Sequence, residues 1–258
     1  MLYIGWDIGI KNLAYCIIEY KNGKQTIREF DIINLIEDLA PVTNKCSLTH
    51  KNGNKCSSKA LYKLDNLDNI TYYCNKHYNS DIKNKTIKEK KKFKKIKEKK
   101  LNANKISLET LGKKLFEKLE NNKLFLECNY IIIENQPVLK NPKMKSIQIM
   151  LYSYFLIKNK NIEAIQLVNA SNKLKVFKGK LDESTDIKLK KINDKYKRNK
   201  LTAIAHCDKM IEELEELEEL DISNNSGFFL DYFRKHKKQD DLADAYLMCR
   251  YFINKINK

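Results

Sequence analysis

Apolar residues alternate or run together over residues 1–7, 13–20 and 26–33, which predicts three strands. Asn22-Gly23, between the second and third, is the two-residue signature of a hairpin with a type I′ turn. An antiparallel meander is therefore expected. Residues 41–78 lose this patterning and collect Cys, His, Asn and Gly. From Ser80 to about Glu120 the spacing predicts helix: first a lysine-rich stretch with Ile87, Phe93 and Ile96 interleaved, then an amphipathic stretch through Leu108, Leu111, Leu115, Phe116 and Leu119. A buried strand at 129–134 follows, then a helix at about 143–159, a short strand at 162–167, a charged connector, a helix from about Lys197, and a last helix from about Asp240 to Ile256. The predicted order is β-β-β-α-β-α-β-α-α, an α/β chain. Within the acidic run 212–221, Leu214, Leu217 and Leu220 recur at i, i+3 and i+6, the spacing of a helix edge packed on the core or on a second subunit.

Three acidic clusters interrupt this apolar pattern. Asp7 ends the strand Tyr3-Ile4-Gly5-Trp6-Asp7 and precedes a turn at Gly9; Glu134 ends Tyr130-Ile131-Ile132-Ile133; Asp241 and Asp244 lie in the last helix. Any one could be a turn former or a helix cap. Together they are costly, because a carboxylate at the end of an apolar strand loses hydration unless something positive is near. Asp241 and Asp244 are three apart and so share a helix face. Four carboxylates from three segments form an all-oxygen donor set that suits Mg2+ or Mn2+, and can hold two such ions for hydrolysis of a phosphate ester.

The formal net charge of +17 points to a polyanionic partner. Residues 81–105 hold twelve Lys against three acids, and residues 173–200 hold eleven Lys or Arg against four, so the charge is concentrated in two stretches. Nucleic acid is the natural partner, held by phosphate contacts with little base readout. No apolar run approaches the roughly 18 residues of a membrane span, and the N-terminus lacks the layout of a signal peptide.

The cysteines divide into two groups. Cys16, Cys128, Cys207 and Cys249 occupy apolar periodic positions and read as core. Cys46, Cys56, Cys74 and His77 fall in a segment with little apolar core of its own, and a structural Zn2+ there would supply the missing folding energy. Gly53 suits a knuckle between the first two, and His50 is a competing ligand. Without a secretory signal, reduced cysteines imply a reducing compartment.

The motifs Asp-x-Gly-x-x-Asn-x-Ala at 7–14, Ile-Glu-Asn-Gln-Pro at 133–137 and Asp-Asp-x-Ala-Asp-Ala at 240–245 resemble those of the RuvC-type Holliday junction resolvases, most closely the poxvirus-like branch of large DNA viruses. The resemblance implies an RNase H-like (retroviral-integrase-like) mixed sheet flanked by helices, a homodimer, and Mg2+-dependent nicking of four-way DNA junctions in the cytoplasm, a viral factory or the nucleus. It covers the core, at 1–40 and 106–258; residues 41–105, read as an inserted zinc-binding module and lysine-rich helix, depart from the family's pattern, which does not give their role. Asp7, Glu134, Asp241 and Asp244 take the metal-ligand roles. The family also uses lysines near its third segment, and Lys200 is the best match, with Lys197, Lys173 and Lys175 as alternatives. Two rivals are carried forward: another nuclease of the RNase H superfold, transposase-like or ribonuclease-H-like, and a non-catalytic zinc-containing nucleic-acid-binding protein.

Overall fold

The structure is a computed structural model and describes residues 1–39, 44–66, 69–83, 85–96, 102–139, 141–218 and 228–257. It divides into two compact units: Met1–Asp38 with Ala103–Lys258, and Leu39–Asn102. The chain begins with β1 (Leu2–Asp7), β2 (Leu13–Lys21) and β3 (Lys24–Ile33). The second unit contributes β4 (Tyr62–Asn66), β5 (Asn69–Tyr73), α1 (Asn75–Ile82), α2 (Ile87–Lys90) and β6 (Phe93–Lys95). The first unit resumes with α3 (Leu108–Glu120), β7 (Tyr130–Glu134), α4 (Pro142–Lys158), β8 (Ala164–Val168), α5 (Glu183–Lys190), α6 (Lys195–Glu218), α7 (Phe228–Lys235) and α8 (Gln239–Ile256). Short 3-10 turns precede α3 and β7, and another, Ala170–Lys175, follows β8.

The larger sheet runs β3-β2-β1-β7-β8. β1 to β3 form the predicted meander, while β7 and β8 run parallel to β1. Asn22 and Gly23 both take positive φ, 52° and 79°, and Lys21 pairs with Lys24 across them, as a type I′ turn requires. This mixed sheet with flanking helices is the RNase H-like arrangement that the resemblance implies.

Strand alternation assigns the two faces. Trp6 packs against Phe125 and Phe155, on the side of α4. The odd positions of β1 face the other way: Tyr3 stacks on Tyr130, whose ring meets Phe252 of α8. Gly5 meets α8 directly, since a β-carbon built there would lie 2.4 Å from the Ala245 carbonyl oxygen and 2.8 Å from Cys249 Cβ. A glycine at this position lets a buried helix approach the central strand. Cys16, Cys128, Cys207 and Cys249 are all buried in this unit, as the pattern predicts. Leu214 packs against the core, while Leu220 lies outside the described residues, as does the side chain of Leu217.

The inserted unit has a three-stranded antiparallel sheet, β5-β4-β6. Here the helix predicted from Ser80 to Glu120 is corrected. The lysine-rich stretch forms only α2, closed at its start by a Thr86/Glu89 capping box, and then turns into β6. Phe93 decides this: it pairs opposite Leu64 and packs edge-on against Tyr73 and Tyr78, burial that a helix through the lysine run would forfeit. Residues 97–101 lie outside the described part, so the predicted lysine helix is replaced over residues 83 and 85–96 only.

Candidate active site

Period-two alternation places Asp7 on the same face of β1 as Tyr3 and Gly5, and Glu134 on the same face of β7 as Tyr130 and Ile132. That is the face covered by α8. The register pairs Trp6 with Ile133, so Asp7 and Glu134 end neighbouring parallel strands side by side. α8 has Lys238 as its N-cap with no side-chain capping bond, which sets Asp240, Asp241 and Asp244 within the helix and leaves the capping role unfilled by them. The close approach at Gly5 brings that first part of α8 to the ends of β1 and β7. Outside the carboxyl ends of parallel strands is where α/β sheets assemble binding sites.

The electrostatics show that the acids feel one another. Burial, the charge of Glu134, a hydrogen bond to Glu134, and then the charges of Asp244 and Asp241 push the Asp7 carboxyl well above the usual carboxylate range. Burial pushes Asp244 up to about 6, against the opposing ammonium of Lys173, with which it forms an ion pair. Burial and the neighbouring Asp240 raise Asp241, with Lys238 opposing at 3.7 Å. Asp240 moves down: burial opposes this, but its ion pair with Lys200 prevails. Asp244 Oδ1 and Asp241 Oδ2 are buried without a hydrogen-bond donor among the described residues. Repelling carboxylates whose buried oxygens lack hydrogen-bond donors fit a bound divalent cation. Among the described residues no three carboxylates group as closely as the Cys/His set of the inserted unit, whose ligand atoms lie within 4.8 Å of one another.

Lys173 forms an ion pair within this group, with Asp244; Lys200 pairs with Asp240 and acts on Asp241 only through its charge. Lys173 arrives on the turn Ala170–Lys175 directly after β8, the third parallel strand. Lys175 bonds to Asn172, and the Lys197 backbone N–H to Asp194. A supporting layer escaped the sequence reading. Gln136 donates to Glu134, its own backbone N–H donates to Gln148 Oε1 at 2.7 Å, and Lys145 bonds to both Gln148 and Asn135. Gln148 is fully buried, and a lone amide within the apolar run of α4 was the available signal. Beside Asp7 and Asp241 a cleft of about 310 Å³ extends past Gly9, Asn12 and Met144.

In the inserted unit, Cys46, Cys56, Cys74 and His77 bring their ligand atoms within 4.8 Å of one another. Cys46 Sγ and Cys74 Sγ stand 3.2 and 3.5 Å from His77 Nδ1, and Cys56 Sγ lies 4.0 Å from Cys74 Sγ. Gly53, at φ 80°, makes the predicted turn between the first two cysteines. His50 stands beside His77, ring centroids 5.2 Å apart, outside the set. All four are free of disulfides where cysteine, and the donor chemistry matches tetrahedral zinc.

Residues 4–138 match the family described as mitochondrial resolvase Ydc2 / RNA splicing MRS1, catalytic part. An uncharacterized protein of Acanthamoeba polyphaga mimivirus is 31% identical over 323 aligned positions, spanning 98% of this chain and 74% of the relative. Among solved structures, the Fowlpox virus resolvase in complex with Holliday junction DNA is similar at a TM-score of 0.47 and 15% identity, over the whole of both chains. The yeast mitochondrial Holliday junction resolvase Ydc2 is similar at 0.42 and 16% identity, covering 97% of this chain and 78% of that one.

Proposed function

Since the chain belongs to the family of mitochondrial resolvase Ydc2 and RNA splicing MRS1, we propose that it is a structure-selective endonuclease that resolves four-way DNA junctions. One observation supports this reading above the others: acids from three separate segments, Asp7, Glu134 and the Asp241/Asp244 pair, act on one another from one face of the sheet, and Asp241 Oδ2 and Asp244 Oδ1 are buried without a hydrogen-bond donor among the described residues. The family also includes an RNA-splicing protein. A protein that only binds nucleic acid gains nothing from mutually repelling buried carboxylates, so the nuclease reading is preferred.

In this reading Asp7, Glu134, Asp241 and Asp244 hold Mg2+ or Mn2+, two ions per site. Bound there, such ions would supply activation of a water and neutralisation of the charge that develops on a leaving oxygen. The chain's own contribution is positional: Gln136 and Gln148 fix the strand end carrying Glu134, and α8 fixes the two aspartates relative to Asp7. Lys173 is the lysine suited to the scissile phosphate, because its ammonium already lies at the acidic group. Zn2+ in the Cys46/Cys56/Cys74/His77 set is structural. A homodimer would present two such sites to the symmetric arms of a junction, and the exposed apolar residues Ile149 and Leu156, seven apart on α4, suit contact with the second copy. The reading also places the protein in a reducing compartment of the cell; among the described residues no helix is long and apolar enough to cross a membrane.

The test is cleavage of a labelled four-way junction against linear duplex and structured RNA of equal length in Mg2+. Paired nicks restricted to the junction support the proposal. Cleavage of all substrates alike, or of RNA alone, contradicts it.

A further inference from the structure

The inserted unit carries most of the excess charge. Residues 39–102 contain seventeen Lys against five Asp or Glu, a net +12 of the chain's +17. Such a unit must hold like charges together, and its interior is small: among the described residues the buried side chains are Cys46, Cys56, Ala60, Tyr73 and Cys74, with Leu48 packed against the cysteines. Without a cation among those thiols little apolar burial remains to offset the entropy of ordering the chain. With one, the elements connect. Cys74 caps α1, α1 presents Tyr78, and Tyr78 stacks on Tyr62 of β4 at 3.6 Å and meets Phe93 of β6 at 5.4 Å. Phe93 in turn sets the lysines on either side of it.

Those lysines are exposed, and among the described residues Lys88, Lys90, Lys91 and Lys95 have no acidic partner. Crowded unpaired ammonium groups repel one another, a cost relieved by a polyanion. The aromatic rings say which form of polyanion. Tyr62, Tyr73, Tyr78 and Phe93 are engaged with one another, which leaves Tyr72 as the one described Tyr or Phe ring of the unit outside that cluster, whereas a single strand needs a row of stacking faces for successive bases. What remains is contact with the backbone of a duplex.

We infer that residues 39–102 form a zinc-stapled module that grips the phosphate backbone of duplex DNA, so that zinc governs affinity for DNA arms while leaving the cutting chemistry to the acids of the other unit. The inference rests on the nuclease reading only for the identity of the duplex as the arms of a junction.

Three forms of the full-length protein are compared by metal analysis and by fluorescence anisotropy on linear duplex, four-way junction and single-stranded RNA across a salt series. They are the protein as purified without chelators, the protein stripped by a soft-donor chelator, and a variant with Lys88, Lys90, Lys91 and Lys95 changed to Gln. The purified protein is expected to carry about one zinc per chain. Stripping should lower affinity for linear duplex and junction together by at least about tenfold. The lysine variant should keep its zinc, which excludes unfolding as the cause, and its slope of log K against log salt should shrink by up to about 3.6 units, at about 0.9 per phosphate contact. Absence of zinc, unchanged affinity and slope after verified zinc loss, or zinc-dependent preference for single-stranded RNA would each overturn the inference. Cleavage by excess protein in resupplied Mg2+ is read separately: its failure in the zinc-loaded protein would count against the nuclease reading and leave this one standing.

Discussion

The Lys173 ammonium forms an ion pair with the Asp244 carboxylate although 71 positions separate them in the chain. Lys173 follows the outermost parallel strand and Asp244 sits on α8, so the pair joins two arms of the candidate site. The ammonium occupies ground that a divalent cation would share.

This pairing yields the first prediction. Lys173→Gln should lower the maximal single-turnover rate by at least about tenfold, the lower end of what one electrostatic group contributes. It should also lower the Mg2+ concentration needed for half-maximal rate at pH 8, because a competing cation has gone. Lys200→Gln, which removes a partner of Asp240, should change the rate far less. Mg2+ titrations of both variants check this; the reverse ranking would return the role to Lys200.

A second prediction concerns pH. The folded-state carboxyls of Asp7 and Asp244 lie above their unfolded values, Asp244 at about 6. In the metal-free protein the folded state therefore binds more protons than the unfolded chain between the ordinary carboxylate range and those raised values. Asp244 accordingly contributes stability at low pH that is lost as pH rises through about 6, and Asp7 acts in the same direction. Mg2+ needs the ionised forms, so its binding should strengthen over the same interval and restore stability above it. Thermal melts from pH 5 to 8 with and without Mg2+ measure both slopes. A Mg2+ stabilisation that is independent of pH would contradict the assignment.

Gly5→Ala supplies a third. The added carbon meets the backbone oxygen of Ala245 at 2.4 Å, which no side-chain rotation relieves. Displacing α8 from β1 should destabilise the protein by about 1–3 kcal/mol, typical of overpacking a core. Cleavage should fall further than stability does, because the same shift carries Asp241 and Asp244 away from Asp7. Denaturant melts paired with single-turnover rates separate the two effects.

Much of this was legible in the sequence because the signals were local. Asn22-Gly23 determined a turn, apolar runs located β1 and β7, and an acid at the end of each run was visible as a cost needing an explanation. The spacing of Cys46, Cys56, Cys74 and His77 was likewise visible in a segment poor in apolar residues. What could not be read depended on distant partners. Periodicity assigned helix to the lysine run, but Phe93 found Leu64, Tyr73 and Tyr78 and became a strand. Lys200 and Lys173 look alike in sequence, and only the path of the turn after β8 against α8 separates Asp240's partner from Asp244's. α7, with Phe233 fully buried against Phe30, was missed because its short apolar pattern follows the acidic run without a clear start signal.

The central claim is tested most directly by comparing the wild type with Asp7→Asn on a labelled four-way junction in Mg2+, at protein concentrations where both are saturated. The amide keeps the shape of the buried end of β1 and removes the charge a cation needs. The account predicts that Asp7→Asn binds the junction nearly as tightly as the wild type and cuts it at least about a hundredfold more slowly, the scale of one lost electrostatic group in a catalytic site. Cleavage by Asp7→Asn at the wild-type rate would contradict it.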